Sequence, residues 1–158
     1  PAIFHATSFV LSALERVQNR FLEALGISAE TALFELRLAP LTTRRDIAML
    51  GLLHKISLGV APKPLLDLFS STPRTLQSFG FTTDQSRHTR QFHDPVEHSH
   101  PPIIKRSLFG LVSVYNQLPQ SVVSATSVKT FQTKLQWQAK DSLRNGFRQW
   151  PLMYHASV

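Results

Sequence analysis

Residues able to bind a transition metal are concentrated in one stretch near the middle of the chain. They are His88, His93, Asp94, Glu97, His98 and His100. Their spacing matches no standard zinc site, because there is no H-E-x-x-H pattern and no cysteine that could complete a ligand set. The stretch has the polar composition of a flexible, solvated segment. We therefore expect no metal site and no cofactor.

No other group of residues has the spacing of a catalytic centre. The chain lacks a G-x-S-x-G motif, a Gly-rich phosphate loop and the adjacent aspartates that would hold the two metal ions of a polymerase. His54 lies in an apolar, helical segment, where we expect an imidazole with satisfied hydrogen bonds at the edge of the core. We predict no catalytic residue and no small-molecule substrate, so the chain is not an enzyme by itself.

The charge of the chain points to a polyanionic partner. Seventeen Lys and Arg stand against ten Asp and Glu, a net charge of +7. Residues 1–46 hold five acids and five bases, whereas residues 47–158 hold five acids and twelve bases. The longest charge-free stretch, residues 107–128, contains Asn, Gln and Pro, which is not typical of a membrane span. The surplus of positive charge favours nucleic acid or an anionic membrane surface, and charge alone does not choose between them. A soluble surface that happens to be basic is a further alternative. Of these we expect a nucleic-acid partner and no membrane.

The basic residues that could contact a nucleic-acid backbone occur mainly in pairs. One pair is one turn apart on the first predicted helix, and two others open later helices, where free N–H groups also attract phosphate. The alternative is an ordinary solvated face, with Arg20 paired to Glu23. The candidate contacts are Arg16, Arg20, Arg44, Arg45, Lys55, Lys105 and Arg106.

Apolar residues at spacings of three and four predict three helices in the first part of the chain. The first covers residues 7–25 and ends at Gly26. The second covers residues 29–38, with Ser28 as its N-cap, and the third covers residues 44–58, with a capping box at its start. The capping box pairs Thr43 with Asp46. The face of the first helix that we expect to be buried carries Val10, Ala13, Leu14, Val17, Phe21 and Leu25.

The remainder of the chain predicts a loop followed by two more helices. Residues 70–102 are rich in Ser, Thr, His, Arg and Pro, which is typical of a poorly ordered linker or loop. Helices are expected over residues 103–118 and from 128 to about 145, the latter capped by Ser127. In the connection between them, Val122 and Val123 should pack onto the core. On the last helix the buried side should carry Val128, Phe131, Leu135 and Ala139, and the outward side Lys129, Lys134 and Lys140. The predicted fold is all-α, an irregular bundle of three N-terminal helices (1–69) and two C-terminal helices (103–146) with a tail (147–158).

Four sequence blocks occur in an order that resembles a known family. They are LERVQNRF at 14–21, TRRD at 43–46 leading into LHK at 53–55, YNQLP at 115–119 and SVKTF at 127–131. The series resembles the region downstream of the reverse transcriptase domain in non-LTR retrotransposon polyproteins. Tyr115 stands where many members of that family have Trp.

The resemblance implies a parent protein that copies RNA into DNA and carries an endonuclease. The stretch in question would be the helical region behind the polymerase palm, which helps to cradle template and primer. It would itself be non-catalytic, with Arg16, Arg20, Arg44 and Arg45 contacting the nucleic-acid backbone. Since the first residue is Pro1 and not Met, we also expect a fragment of a longer product.

Two other functions fit the same residues. The second and third predicted helices, joined by the turn at 39–42, could form a helix-turn-helix that reads duplex DNA. Alternatively, the chain could be a protein-interaction module or an inert remnant, which a large exposed apolar patch would favour.

Overall fold

A computed structural model describes residues 6–69, 88–93, 104, 107–147 and 149–154. These residues are mostly helical, as predicted, and none of them lies in a strand. The helices are α1 (Ser8–Ala24), α2 (Ala29–Phe34), α3 (Leu41–Ser57), α4 (Lys63–Leu68), α5 (Val112–Asn116), α6 (Gln120–Val123) and α7 (Val128–Arg144). Short 3-10 helices occupy Phe109–Leu111 and Trp150–Leu152. Within this described part, no helix has the length and apolar character needed to cross a membrane.

Local signals set most helix ends. Gly26, with φ of +65°, follows α1, and Ser28 caps α2 by accepting from the Thr31 amide at 3.0 Å. However, α2 stops at Phe34, short of the predicted 38. Arg37 takes a left-handed φ of +56°, and the Leu38 amide then reaches back to the Ala32 carbonyl at 2.8 Å, which closes the helix.

Helix α3 forms the centre of the packing. It contacts α1, α5 and α7, and side chains are buried around most of its circumference. Its closest neighbour is α7. A Cβ built on Gly51 would lie 2.5 Å from Nε2 of Gln132, so only a residue without a side chain allows this approach without moving Gln132. Leu50 and Leu53 of α3, and Phe131 and Leu135 of α7, are fully buried.

The predicted helix over residues 103–118 is interrupted. Ser107 donates to the Ile104 carbonyl at 2.6 Å and accepts from the Phe109 amide at 3.1 Å. These bonds compete with helical ones, so a 3-10 turn precedes α5. The connection after Leu118 also contains a helix, α6, whose two valines, Val122 and Val123, are buried as expected.

Two segments predicted to lie outside the helical core pack into it. Residues 88–93, within the predicted 70–102 loop, bury His88 and Phe92, each 4% exposed. The rest of that loop lies outside the described residues. In the predicted tail, Tyr154 is 3% exposed and donates to the Leu135 carbonyl at 2.8 Å, while Thr43 donates to the Pro151 carbonyl. Isolated aromatic residues carry no periodic signal, so sequence patterns did not predict their burial.

The apolar face predicted to be buried on α1 is largely exposed. Val17 is 67% exposed, Phe21 59% and Leu25 54%, whereas Leu22 on the adjacent face is 4% exposed. Polar side chains explain this exposure. Glu15 accepts from the amides that begin α3, and nearby Gln18 donates to the Ala39 carbonyl. These bonds fix the rotation of α1 about its axis, and the apolar stripe then faces solvent.

Truncation of α1 side chains tests this rotation. We expect Leu22→Ala to lower the free energy of unfolding by about 2–4 kcal/mol, because a buried leucine is lost. Val17→Ala should change it by less than about 0.5 kcal/mol, because Val17 is already in water. Urea unfolding measures both values. A larger loss for Val17→Ala would show that the face predicted from the sequence is the buried one.

Candidate nucleic-acid interface

The predicted basic contacts differ in their access to solvent. Arg16, Arg20 and Arg44 are exposed, and Lys55 is half-buried. Arg45 is 7% exposed, and its Nε and Nη1 have no hydrogen-bond partner, so it does not present its guanidinium at the surface. The remaining pair, Lys105 and Arg106, lies outside the described residues.

These arginines do not form one patch. Arg16 and Arg20 share an outward strip of α1, and Gln18 lies about 160° around that helix from both. Arg44 is on the Gln18 side, because its Nη2 donates to Gln18 Oε1 at 2.6 Å. Lys55 shares an open strip of α3 with Arg44 but lies about 16 Å along it.

The N-terminus of α3 is already occupied by a carboxylate. The helix begins at Leu41, so Thr43 is inside it and the predicted capping box is wrong. Instead, Glu15 Oε1 accepts from the Leu41 amide and Oε2 from the Thr42 amide, both at 3.1 Å. A negative group is stabilised there by the free amides and the helix dipole. The carboxylate of Glu15 therefore occupies the helix N-terminus at which a phosphate was expected to bind.

His54 is the polar centre of the core, and it is buried completely instead of lying at the edge. Its Nε2 lies 3.0 Å from the Ala125 carbonyl, and its Nδ1 lies 3.0 Å from the Tyr115 hydroxyl, which is also 2.9 Å from Ser57 Oγ. The ring stacks on Phe131 at 4.1 Å between centroids. A carbonyl can only accept, so Nε2 carries a proton, and the expectation of a satisfied structural histidine is confirmed.

A second buried histidine fastens residues 88–93 to α5. His88 Nε2 lies 2.9 Å from the Tyr115 carbonyl, and its Nδ1 accepts from the Arg90 amide at 3.1 Å. Asn116 then accepts from the Phe92 amide and donates to the Phe92 carbonyl, at 2.9 and 2.8 Å. Because Nδ1 accepts a hydrogen bond from a backbone N–H, it carries no proton itself, and this imidazole is neutral.

Both histidines resist protonation. Burial lowers the pKa of His54 and of His88 below the ordinary value, and the positive charge of Arg90 lowers both further. Burial also raises the pKa of the Tyr115 hydroxyl to about 12. The lone pair of His88 Nδ1 accepts from the Arg90 amide, and His54 Nδ1 faces the Tyr115 hydroxyl inside the core. Among the described residues, no three His, Asp or Glu side chains could hold a metal ion.

Several side chains of the four sequence blocks contact another block or the residues just before it. Glu15 and Gln18 of the first block hold the start of α3, which carries the second. His54 of the second block contacts Tyr115 of the third and Phe131 of the fourth. These side chains therefore act as structural contacts within the fold.

The most basic described helix is α7. It carries one acid, Asp141, and four bases. The bases are Lys129, Lys134, Lys140 and Arg144. Phe131, Leu135 and Ala139 are on its buried face, as predicted, and Ser127 caps it as predicted. Lys129 and Lys140 were predicted to face outward, but neither they nor Arg144 were among the predicted backbone contacts. Their shared outward face on a predicted helix is the sequence signal that could have identified this surface.

Comparison with protein-family models, with curated proteins and with solved structures gave no match.

Removal of the Glu15 carboxylate tests the cap on α3. We expect Glu15→Ala to lower the free energy of unfolding by about 1–2 kcal/mol, because two helix-terminal amides lose their acceptor. Glu15→Gln retains one acceptor oxygen and should lose roughly half as much. Urea unfolding at neutral pH gives both values. An unchanged Glu15→Ala protein would contradict the cap.

Acidification tests the neutral histidines. Their pKa values are lower in the fold than in the unfolded chain, so the unfolded chain takes up protons first as the pH falls. Stability should be complete above pH 7 and should fall below about pH 6.5, by up to about 1.4 kcal/mol per pH unit for each histidine.

Urea unfolding at pH 7.5 and pH 5.5 measures this loss. His54→Gln, which keeps a donor and an acceptor but does not titrate, should reduce the pH dependence by about half. Equal stability of the unmodified chain at the two pH values would contradict burial of neutral imidazoles.

Proposed function

We propose that this chain is a non-catalytic helical scaffold that binds nucleic-acid backbones, as the region after the polymerase palm of a retrotransposon reverse transcriptase would. The observation that carries the proposal is the outward side of α7. Lys129 and Arg144 are exposed there, Lys140 is partly exposed, and Asp141 is the one acid on the helix. Lys129 and Arg144 lie about 22 Å apart along the helix, so the surface follows several phosphates of a strand.

Polar side chains that could have acted in catalysis bind other parts of the fold instead, which supports a scaffold role. Glu15 caps a helix, and the imidazoles of His54 and His88 bind main-chain carbonyls. A catalytic base needs a lone pair, and a catalytic acid a proton, within reach of a substrate. The two imidazoles are buried with both nitrogens facing groups of the fold, and both oxygens of Glu15 accept from helix-terminal amides.

The helix-turn-helix alternative has less support. A recognition helix must place a free face in the major groove. On α3, the candidate for that helix, buried residues leave only a narrow open strip with Arg44 and Lys55, and Arg45 is buried. Protein interaction is a second candidate function, because α1 exposes Val17 and Phe21 side by side.

Two charge reversals distinguish binding at the α7 surface from binding at the arginines predicted on α1. Lys129→Glu and Arg16→Glu each change the net charge by two units at an exposed helical position. A glutamate at 129, in the first turn of α7, also favours the helix dipole, so the fold is retained. Binding to labelled mixed-sequence RNA and DNA is measured by fluorescence anisotropy between about 50 and 200 mM salt, a range over which affinity based on many phosphate contacts falls by orders of magnitude.

We expect affinity for both nucleic acids to fall steeply with salt. Lys129→Glu should weaken binding at every sequence and reduce the slope of log affinity against log salt by about one. Arg16→Glu should have a clearly smaller effect. A larger effect of Arg16→Glu would move the interface to α1, and absence of binding at low salt would overturn the proposed function.

A further inference from the structure

A cluster of two aromatic rings and two cations lies where α2 meets α7. Lys140 Nζ is 5.8 Å from the ring centroid of Phe34 and 5.6 Å from that of Trp137. Arg144 Cζ is 5.2 Å from the Phe34 centroid. We call these four residues the cation–aromatic surface. Cation–π contacts of this kind hold the charged groups in fixed places beside the rings.

Lys140 and Phe34 have a structural role that Trp137 does not share. Lys140 Nζ donates to the Phe34 carbonyl at 3.2 Å and so caps the last turn of α2. Phe34 has both Lys140 and Arg144 within 6 Å of its ring centroid, and is half-buried. Trp137, by contrast, is 55% exposed, so much of its indole is in contact with water.

The charge around the indole is suited to an anion. Arg144 has a side chain that is 60% exposed, and its contact with Asp141, at 3.7 Å, is between two exposed groups and therefore weak. An incoming phosphate can therefore bind Arg144 in place of that carboxylate. The neighbours Thr133 and Gln136 are exposed and uncharged. Among the described residues the acids beside the cluster are Asp141 and Glu35, which follows Phe34, and both are exposed to solvent, which screens their charge.

We propose that the cation–aromatic surface binds single-stranded nucleic acid, with one base stacked on Trp137 and the adjoining phosphates held by Lys140 and Arg144. This inference rests on the proposed function and adds the class of nucleic acid to it. Bases of a single strand present their faces for stacking, whereas those of a duplex are stacked on each other. Lys140 and Arg144 lie about 4.5 and 10 Å beyond Trp137 along the helix axis, within reach of neighbouring phosphates.

Other anionic partners use only part of this arrangement. An acidic peptide would pair with the cations but would gain nothing from an exposed indole face. A lipid surface requires a wider apolar area than one tryptophan surrounded by Thr133 and Gln136. A single strand is the polyanion that uses both the charges and the ring.

Fluorescence of Trp137 gives a direct test. The chain has two tryptophans, so Trp150→Phe leaves Trp137 as the one emitter. This protein is titrated with a 12-nucleotide oligouridylate, with oligothymidylate of equal length, and with a hairpin duplex. We expect the single strands to quench the emission and to bind at least tenfold more tightly than the hairpin.

Substitutions at the ring separate stacking from charge. Trp137→Ala should weaken single-strand binding by roughly five- to hundredfold while leaving hairpin binding unchanged. Trp137→Phe keeps a stacking face and should retain most of the affinity. Phe21→Ala, which removes an equally exposed aromatic ring from α1, is the control and should have no effect. Urea midpoints confirm that every variant is folded.

The outcomes distinguish the two proposals. Salt-dependent binding with equal affinity for hairpin and single strand, and no effect of Trp137→Ala, would overturn the stacking site and leave the proposed function standing. Absence of any salt-dependent binding would overturn both. Quenching by a poly-glutamate peptide as strong as that by the oligonucleotides would overturn the assignment to nucleic acid.

Discussion

The packing of this protein depends on one buried neutral imidazole. His54 joins α3 to α5 through the Tyr115 hydroxyl, to the segment before α7 through the Ala125 carbonyl, and to α7 by stacking on Phe131. Water does not reach these groups, so a missing partner leaves a donor or acceptor unpaired at a cost of about 1–3 kcal/mol. The same Tyr115 binds His88 through its carbonyl, which extends the constraint to residues 88–93.

Local chemistry made much of this fold predictable. Ser28 and Ser127 cap helices, Gly26 ends one, and the apolar period of α7 identified its buried face correctly. Long-range polar bonds were not predictable in this way. The apolar stripe of α1 indicated a face that could be buried. In the structure that stripe is exposed, because Glu15 and Gln18 bind residues at and just before the start of α3. Phe92 and Tyr154 were missed because a single aromatic residue has no period.

Not all of the arginines predicted to contact nucleic acid are exposed, because a helix turns neighbouring residues towards different sides. Arg45 follows Arg44 in the sequence, yet a step of about 100° around α3 carries it from the surface into the interior. Pairs of adjacent basic residues on a buried helix therefore cannot both face a ligand. On α7, which is buried along one side, positions separated by seven and four share a face, and that places Trp137, Arg144 and Lys140 together.

The buried polar side chains, His54 among them, hold the fold together, and we propose that nucleic acid binds on the outward side of α7. An amide and imidazole NMR titration with single-stranded RNA tests both statements in one measurement. We expect amide shifts to change from Lys129 to Arg144, while the His54 imidazole stays neutral and unperturbed. Changes centred on Arg16 and Arg20, or on the His54 ring, would contradict them.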